Sequence, residues 1–240
     1  MPVYLLDKEL SFPAPEHANE EGIVAVGGDV SPERLLLAYR QGIFPWPARG
    51  YPLLWFSPDP RFALIPSQAH ISRSLRKAVR KGGLQVTADT VFARVIRACA
   101  GVPRPHQQGT WITRELEEGY LGLHELGYAH SIEAWRDGEL VGGLYGVAIG
   151  KTFAGESMFA SEPDASKVAF ATLLGHLVSW DFRVVDCQVH TEHLARFGAT
   201  MWPRERFLSS WRAAVAGPSR MAPWTLTMSP EDALKRLRAE

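Results

Sequence analysis

Three stretches rich in apolar residues, 129–135, 139–149 and 151–160, are divided by Asp137-Gly138 and Gly150-Lys151. Apolar runs broken by such pairs predict successive antiparallel strands joined by tight turns. A helix is expected next, capped by Asp164, with Val168, Ala171, Leu174 and Val178 along one side. It leads into a further strand within 182–190. A strand, a crossover helix and a second strand imply parallel neighbours with a right-handed connection. Glu156 and Met158 are therefore expected close to Asp186 and Gln188. Open α/β sheets bind ligands beyond the carboxyl ends of such strands, and a site is expected there.

The last of these strands carries the most informative pattern. Strand side chains alternate, so Arg183, Val185, Cys187 and Val189 share one face and Val184, Asp186, Gln188 and His190 the other. The first face suits burial against a helix. The second sets a carboxylate, an amide and an imidazole side by side. An interior strand tolerates such a row when the groups are used or mutually satisfied. Two readings stand: a functional site, or an Asp and a Gln satisfying nearby loop backbone. Cys187 points to the apolar face, where a thiol behaves as a small hydrophobe. Cys99 is remote and forms no C-x-x-C pair, so neither cysteine reads as ligand, disulfide or nucleophile.

Upstream the periodicity is shorter and more punctuated. Ser31 as N-cap, Pro32 and Glu33 in the first turn and Gly42 at the end predict one helix. Residues 52–60 read as a short strand and a rigid connection. A strand near 84–87, a helix over 90–100, a loop over 101–109 and a helix over 113–126 closed by Gly127 follow. The expected architecture is α+β: a small N-terminal domain, 1–59, and a larger mixed-sheet domain, 60–240.

Charge changes the picture only through its distribution. Lys plus Arg and Asp plus Glu each number 26, in a 240-residue chain that is 46% hydrophobic and can bury a sizeable core. Between Asp59 and Asp89 there is no acidic residue, while Arg73, Arg76, Lys77, Arg80 and Lys81 fall on one helical face opposite Ile71, Leu75, Ala78 and Val79. Such a stripe suits a phosphate backbone; a solvated face without a partner is the plain alternative. The helix lacks the aromatic anchors of a membrane-surface helix. No apolar run reaches membrane-spanning length. Residues 1–8 show no signal-peptide pattern. Free thiols fit a reducing compartment, so a soluble, cytoplasmic protein is expected. Neither G-x-x-x-x-G-K-[ST] nor G-x-G-x-x-G occurs, and the histidines lack zinc spacing. No metal or cofactor is expected.

The order of elements resembles the N-acetyltransferase superfamily, in which two parallel strands splay to admit substrates. The junction Phe159-Ala160-Ser161-Glu162-Pro163-Asp164 lacks the glycines of that superfamily's pyrophosphate loop, which argues against acetyl coenzyme A as donor.

More specific runs extend over nearly the whole chain. They are Gly27-Gly28-Asp29-Val30-Ser31, Tyr39-Arg40-Gln41-Gly42-Ile43-Phe44-Pro45-Trp46, Trp55-Phe56-Ser57-Pro58-Asp59-Pro60-Arg61 and Gly109-Thr110-Trp111-Ile112. Ala129-His130-Ser131-Ile132-Glu133, Leu140-Val141-Gly142-Gly143-Leu144-Tyr145-Gly146-Val147, Gly155-Glu156-Ser157-Met158-Phe159 and Asp186-Cys187-Gln188 continue the series. In these the chain resembles the leucyl/phenylalanyl-tRNA–protein transferase family; residues beyond about Ala216 match least.

The resemblance implies transfer of leucine or phenylalanine from charged tRNA to proteins or peptides beginning with Arg or Lys, marking them for degradation by the N-end rule. Such a reaction is aminolysis of an ester and requires no ATP, metal or covalent intermediate. The acceptor ammonium, with a pKa of ~8, must lose a proton. By resemblance and chemistry together, Asp186 is the expected general base or the electrostatic partner of deprotonation. Gln188 is expected to accept a hydrogen bond from the amine, polarised by Asp186. Glu156 is expected to attract the cationic acceptor, or else to serve its own turn. The family's donor pocket maps to Leu144, Phe153, Met158 and Leu173. Trp46, Trp111 and Tyr120 map to positions around the terminal adenosine, where aromatic rings stack on an unpaired base. Phe153 and Met158 differ by an odd number of positions, so both face one pocket only if the strand is irregular, with a bulge expected at Gly155. A non-catalytic tRNA or N-terminus adaptor, and an acetyltransferase of N-terminal amines, are the competing functional classes.

Overall fold

The computed structural model describes residues 3–47, 50–102 and 110–237. The first elements are β1 (Tyr4–Leu6), β2 (Ile23–Gly27), α1 (Pro32–Arg40), β3 (Phe44–Pro45) and β4 (Leu54–Phe56). The four strands form a small sheet in the order β1-β2-β4-β3. As its sequence predicts, α1 is capped by the Ser31 hydroxyl, which accepts from the Arg34 amide.

A seven-stranded sheet takes up most of the rest. Its elements are β5 (Arg61–Leu64), α2 (Arg73–Lys81), β6 (Gln85–Ala88), α3 (Phe92–Ala100), α4 (Arg114–Glu125), β7 (Ala129–Arg136), β8 (Glu139–Ile149) and β9 (Thr152–Ala160). They continue with α5 (Ala165–Ser179), β10 (Val184–Gln188), α6 (Glu192–Ala195), β11 (Thr200–Trp202), α7 (Arg204–Val215) and α8 (Pro230–Arg236). The order is β11-β5-β10-β9-β8-β7-β6, and among the described residues β9–β10 is its one parallel pairing. The strand–helix–strand unit predicted around α5 is present. The antiparallel insertion of β5 beside β10 is not foreseeable from local pattern, because it joins residues more than a hundred positions apart.

Two apolar layers sandwich the sheet. One contains Tyr39, Trp55, Tyr120, Tyr145, Phe207 and Trp211, and so fuses the small sheet to the large one. The other contains Leu75, Phe153, Phe170, Leu174, Trp224 and Leu234. Val184 enters the first layer while Val185 and Cys187 enter the second, as strand alternation requires.

Two irregularities open the sheet. Tyr145 of β8 pairs with Ser157 and Gly146 with Gly155, so Glu156 is the unpaired extra residue of a bulge. Phe153 and Met158 consequently both face the second layer, despite their odd separation. The glycine this geometry demands is the one opposite: a Cβ on Gly146 would lie 2.2 Å from the Ala154 carbonyl oxygen, whereas one on Gly155 would meet nothing closer than 3.7 Å. Second, β10 pairs with β9 only from Val184 to Asp186, and its register with β5 slips between Asp186 and Gln188. Gln188 has φ +62°, in the left-handed region that ordinary residues seldom occupy. Beyond this point the two parallel strands part.

One expectation needs correction. Asp164 holds the N-cap position of α5, its carbonyl accepting from the Val168 amide, but its side chain makes no capping bond; its backbone is left-handed (φ 63°) and its carboxylate pairs with Lys167 at 2.6 Å. The final residues are integral to the fold: Trp224 stacks on His130, the Thr227 and Met228 amides both donate to His176 Nε2, and α8 packs on α5. Most of the loop expected at 101–109 lies outside the described residues.

Candidate active site

Where β9 and β10 part, a cavity of about 470 Å³ opens between them. Its walls include Trp46, Trp111, Leu144, Glu156, Met158, Asp186 and Gln188. Seven residues singled out from the sequence thus converge on one space, from the small sheet, the approach to α4 and three neighbouring strands.

Asp186 is held deep in the wall. Arg61 Nε donates to Oδ1 at 2.7 Å and Nη2 to Oδ2 at 2.5 Å, a two-point ion pair in which both side chains are 1% exposed. The guanidinium itself lies between the rings of Phe44 and Phe207, at 4.5 and 4.6 Å from their centroids. Asp186 Oδ1 also accepts from the Gln188 backbone amide at 2.9 Å. That bond secures the left-handed turn which aims the Gln188 side chain across the gap.

Glu156 meets that side chain from the opposite strand. Gln188 Nε2 donates to Glu156 Oε1 at 2.8 Å, and the Tyr120 hydroxyl donates to Oε2 at 2.9 Å. Burial pushes the Glu156 carboxyl up to about 7; the Tyr39 and Tyr120 hydroxyls oppose the shift, the Asp186 charge reinforces it and the Arg61 charge opposes it. A carboxylate poised near neutrality, facing a cavity, is suited to gain and lose a proton there. Cys187 also touches the cavity, but burial first and the Asp186 charge second push its thiol well above the usual range, so it is no thiolate nucleophile.

The expected polarisation of Gln188 comes from a different residue. Its side-chain amide donates to Glu156, while Asp186 engages only its backbone amide. With Nε2 committed, the side-chain carbonyl oxygen is the atom that remains to accept from an incoming amine.

Three other expected residues stand behind the wall instead of in it. Tyr120 is fully buried, edge-on to Tyr145, and presents no ring face for a base to stack on. Phe153 sits level with Val185, where β9 and β10 are still paired, and its ring packs below the opening. Leu173 lies in the buried second layer on α5. Phe44, Phe170 and Leu194 supply apolar wall in their place. Phe170 follows the same helical pattern as Leu173, so periodicity alone could not choose between them. Arg61 was also unassigned by sequence; its signal is a lone charge opening the apolar run Phe62-Ala63-Leu64-Ile65.

The basic stripe does not line this cavity. Arg73, Lys77, Arg80 and Lys81 are exposed on α2, whereas Arg76 is half-buried and donates from Nε to the Ile71 carbonyl. The start of α2, through Ser72, Ser74 and Leu75, lines a second cavity of about 440 Å³ with Lys167 and Arg196, and both cavities share His193. Among the described residues, no helix is long and apolar enough to cross a membrane, and no three His, Cys, Asp or Glu side chains gather to hold a metal ion.

Comparison with known proteins agrees over nearly the full length. A family model described as leucyl/phenylalanyl-tRNA protein transferase matches residues 63–212, and one described as the N-terminal domain of that transferase matches residues 28–59. The chain is similar to the curated leucyl/phenylalanyl-tRNA–protein transferase of Myxococcus xanthus (strain DK1622), with 59% identity over 227 residues covering 94% of this chain and 97% of the relative. It is 54% identical over 226 residues to that of Anaeromyxobacter sp. (strain Fw109-5), covering 94% and 96%. With that of Syntrophus aciditrophicus (strain SB) it shares 51% identity over 234 residues, 98% of both chains.

Proposed function

The chain belongs to the leucyl/phenylalanyl-tRNA–protein transferase family, and we propose that Glu156, Gln188 and Asp186 divide the work of peptide-bond formation among them. The enzyme moves leucine or phenylalanine from charged tRNA to the N-terminal amine of a protein. In our reading Glu156 takes the proton, Gln188 holds the amine, and Asp186 anchors Gln188. The observation that carries this division is the contrast in partners: Asp186 is bound at both oxygens by Arg61, while Glu156 is bound only by neutral donors.

The chemistry follows from those contacts. An acceptor ammonium entering the cavity meets the Gln188 carbonyl oxygen and the Glu156 carboxylate. Transfer of one proton to Glu156 leaves a neutral amine held by Gln188, which attacks the ester carbonyl carbon. As the C–O bond to the tRNA ribose breaks, the leaving oxygen takes a proton, and protonated Glu156 is placed to return it. The amine loses a second proton as the amide forms. The sum is one amide, one ribose hydroxyl and one proton released to solvent. General-base assistance of this kind contributes ~10²–10⁴-fold, and holding both reactants in register supplies much of the remainder.

The donor side chain fits the apolar wall of Leu144, Met158 and Phe170, with Phe153 and Leu173 shaping it from beneath. Trp46 and Trp111 are assigned to the terminal adenosine. The exposed Arg73, Lys77, Arg80 and Lys81, with Arg76 at their edge, are assigned to tRNA phosphates. Acceptors beginning with Arg or Lys suit a cavity whose carboxylate without a cationic hydrogen-bond partner, Glu156, favours cationic termini; the product is marked for N-end-rule degradation. We assign residues 1–59 to the N-terminal domain and 60–240 to the acetyltransferase-like catalytic domain. A charged-tRNA donor supports a cytoplasmic setting for the enzyme.

The test is reconstitution: the protein with leucyl-tRNA and an Arg-starting peptide is expected to yield the peptide extended by leucine, read by mass. Binding of both without extension would mark an adaptor.

A further inference from the structure

Glu156 is served by two residues that never reach the substrate. Tyr120 uses its only hydroxyl proton on Glu156 Oε2, so the 2.6 Å contact between the Tyr39 and Tyr120 hydroxyls must run with Tyr39 as donor. The result is a fixed sequence, Tyr39 to Tyr120 to Glu156, ending on the carboxylate that also accepts from Gln188. Both rings are buried. Their approach is built into the backbone: α1 packs on α4, and a Cβ on Gly119 would lie 2.3 Å from the Val30 carbonyl oxygen. The segment leading into α1 therefore touches α4, and Tyr39 reaches across from the small-sheet region to the catalytic wall.

We propose that Tyr39 and Tyr120 are positioning residues for transfer, a two-hydroxyl donor chain that fixes the Glu156 carboxylate in its ionised, Gln188-facing form. The proposal rests on Glu156 as proton acceptor. The groups facing Glu156 are Tyr39 from α1, Tyr120 from α4, Tyr145 from β8, Arg61 from β5, and Asp186 and Gln188 from β10. Of these, the two hydroxyls and Arg61 favour the anion, and Asp186 opposes it. Burial raises both phenols well above their usual range, with the Glu156 charge adding to the effect, so they stay protonated and keep their protons pointed along the chain towards Glu156. Removing a donor leaves the buried carboxylate less well solvated and harder to ionise.

The experiment is the pH dependence of single-turnover leucine transfer from leucyl-tRNA to an Arg-starting peptide, for wild type, Tyr120→Phe, Tyr39→Phe and Glu156→Gln. Each Phe variant keeps its ring and the packing around it. Tyr120→Phe is expected to move the acid limb up by about one pH unit, the weight of one hydrogen bond to a charged group. Transfer then falls about tenfold below the limb and recovers towards the wild-type rate at high pH, with the KM for tRNA unchanged. Tyr39→Phe moves the limb in the same direction. A limb that stays in place in both variants, or a loss uniform across pH, overturns the proposal. Glu156→Gln separates the two claims. If it retains the wild-type rate and limb, the proton-acceptor reading fails; if it is inactive while both Phe variants keep the wild-type limb, only the tyrosine chain fails. Should Tyr120→Phe not fold, Tyr39→Phe alone decides.

Discussion

Asp186 and Glu156 flank the same glutamine from neighbouring strands, yet their surroundings are opposite. Asp186 faces a guanidinium clamped between two phenyl rings, and its oxygens are further used by the Gln188 backbone. Glu156 sits on a bulge at the cavity wall and meets two uncharged donors. A carboxylate paired with a fixed cation is a structural charge: protonating it would strand the guanidinium. A carboxylate solvated by hydroxyl and amide changes charge at far lower cost. The difference teaches that position next to the reacting atoms is not enough. In the proposed division of roles, the partner decides which of two acids is fit to transfer a proton.

The largest expected effect comes from removing the proposed base. Glu156→Gln should lower single-turnover transfer by ~10²–10⁴-fold while leaving tRNA binding close to wild type. The same variant sharpens the comparison through stability. Because the folded-state pKa of Glu156 is raised from 4.5 to about 7, the folded protein holds more protons than the unfolded chain in that window. Stability therefore falls as pH rises from 4.5 towards 7, by up to ~3 kcal/mol for a shift of this size. Glu156→Gln does not ionise, so its Tm relative to wild type should climb between pH 5 and pH 8.

Asp186→Asn should act in the other way. It leaves Arg61 buried without its counter-charge, at ~3–5 kcal/mol in stability, measurable by urea denaturation. Replacing Arg61 and Asp186 together by leucine should cost less stability than either single change, because no orphan charge remains. A deficit equal to the sum of the singles would show that the pair does not act as a unit.

Smaller effects probe the donor end. Trp46→Ala and Trp111→Ala should each weaken binding of charged tRNA by ~1–3 kcal/mol if their rings stack on the terminal base. Arg80→Ala should weaken all tRNAs alike and flatten the slope of log affinity against log salt by roughly 0.7–0.9; an unaltered slope would make α2 a solvated face. Cys187→Ala should change the transfer rate least.

Much of this was legible in the chain because it rests on local rules. Turn pairs marked the β7–β8–β9 meander, and the odd spacing of Phe153 and Met158 required an irregular strand. The local pattern puts the bulge at Gly155, one residue from its actual centre at Glu156, because the glycine that makes room for it lies on the opposite strand at Gly146. What the sequence hid was tertiary. Nothing local to Arg61 shows that it will pair with Asp186, 125 residues away, and without that pair Asp186 is the natural choice of base. The family resemblance assigns Tyr120 to the adenosine site, and nothing local to it says otherwise. Only the docking of α1 on α4 shows that its ring is enclosed and that its hydroxyl belongs to Glu156.

The most direct test compares pH profiles of single-turnover transfer in Asp186→Asn and Glu156→Gln, each measured on folded protein against wild type. Wild type should gain about tenfold per pH unit below 7 and level off above it. Asp186→Asn, though slower, should keep an acid limb, and Glu156→Gln should show a low, flat profile. A limb lost with Asp186 and retained with Glu156 would contradict the account and return the base to Asp186.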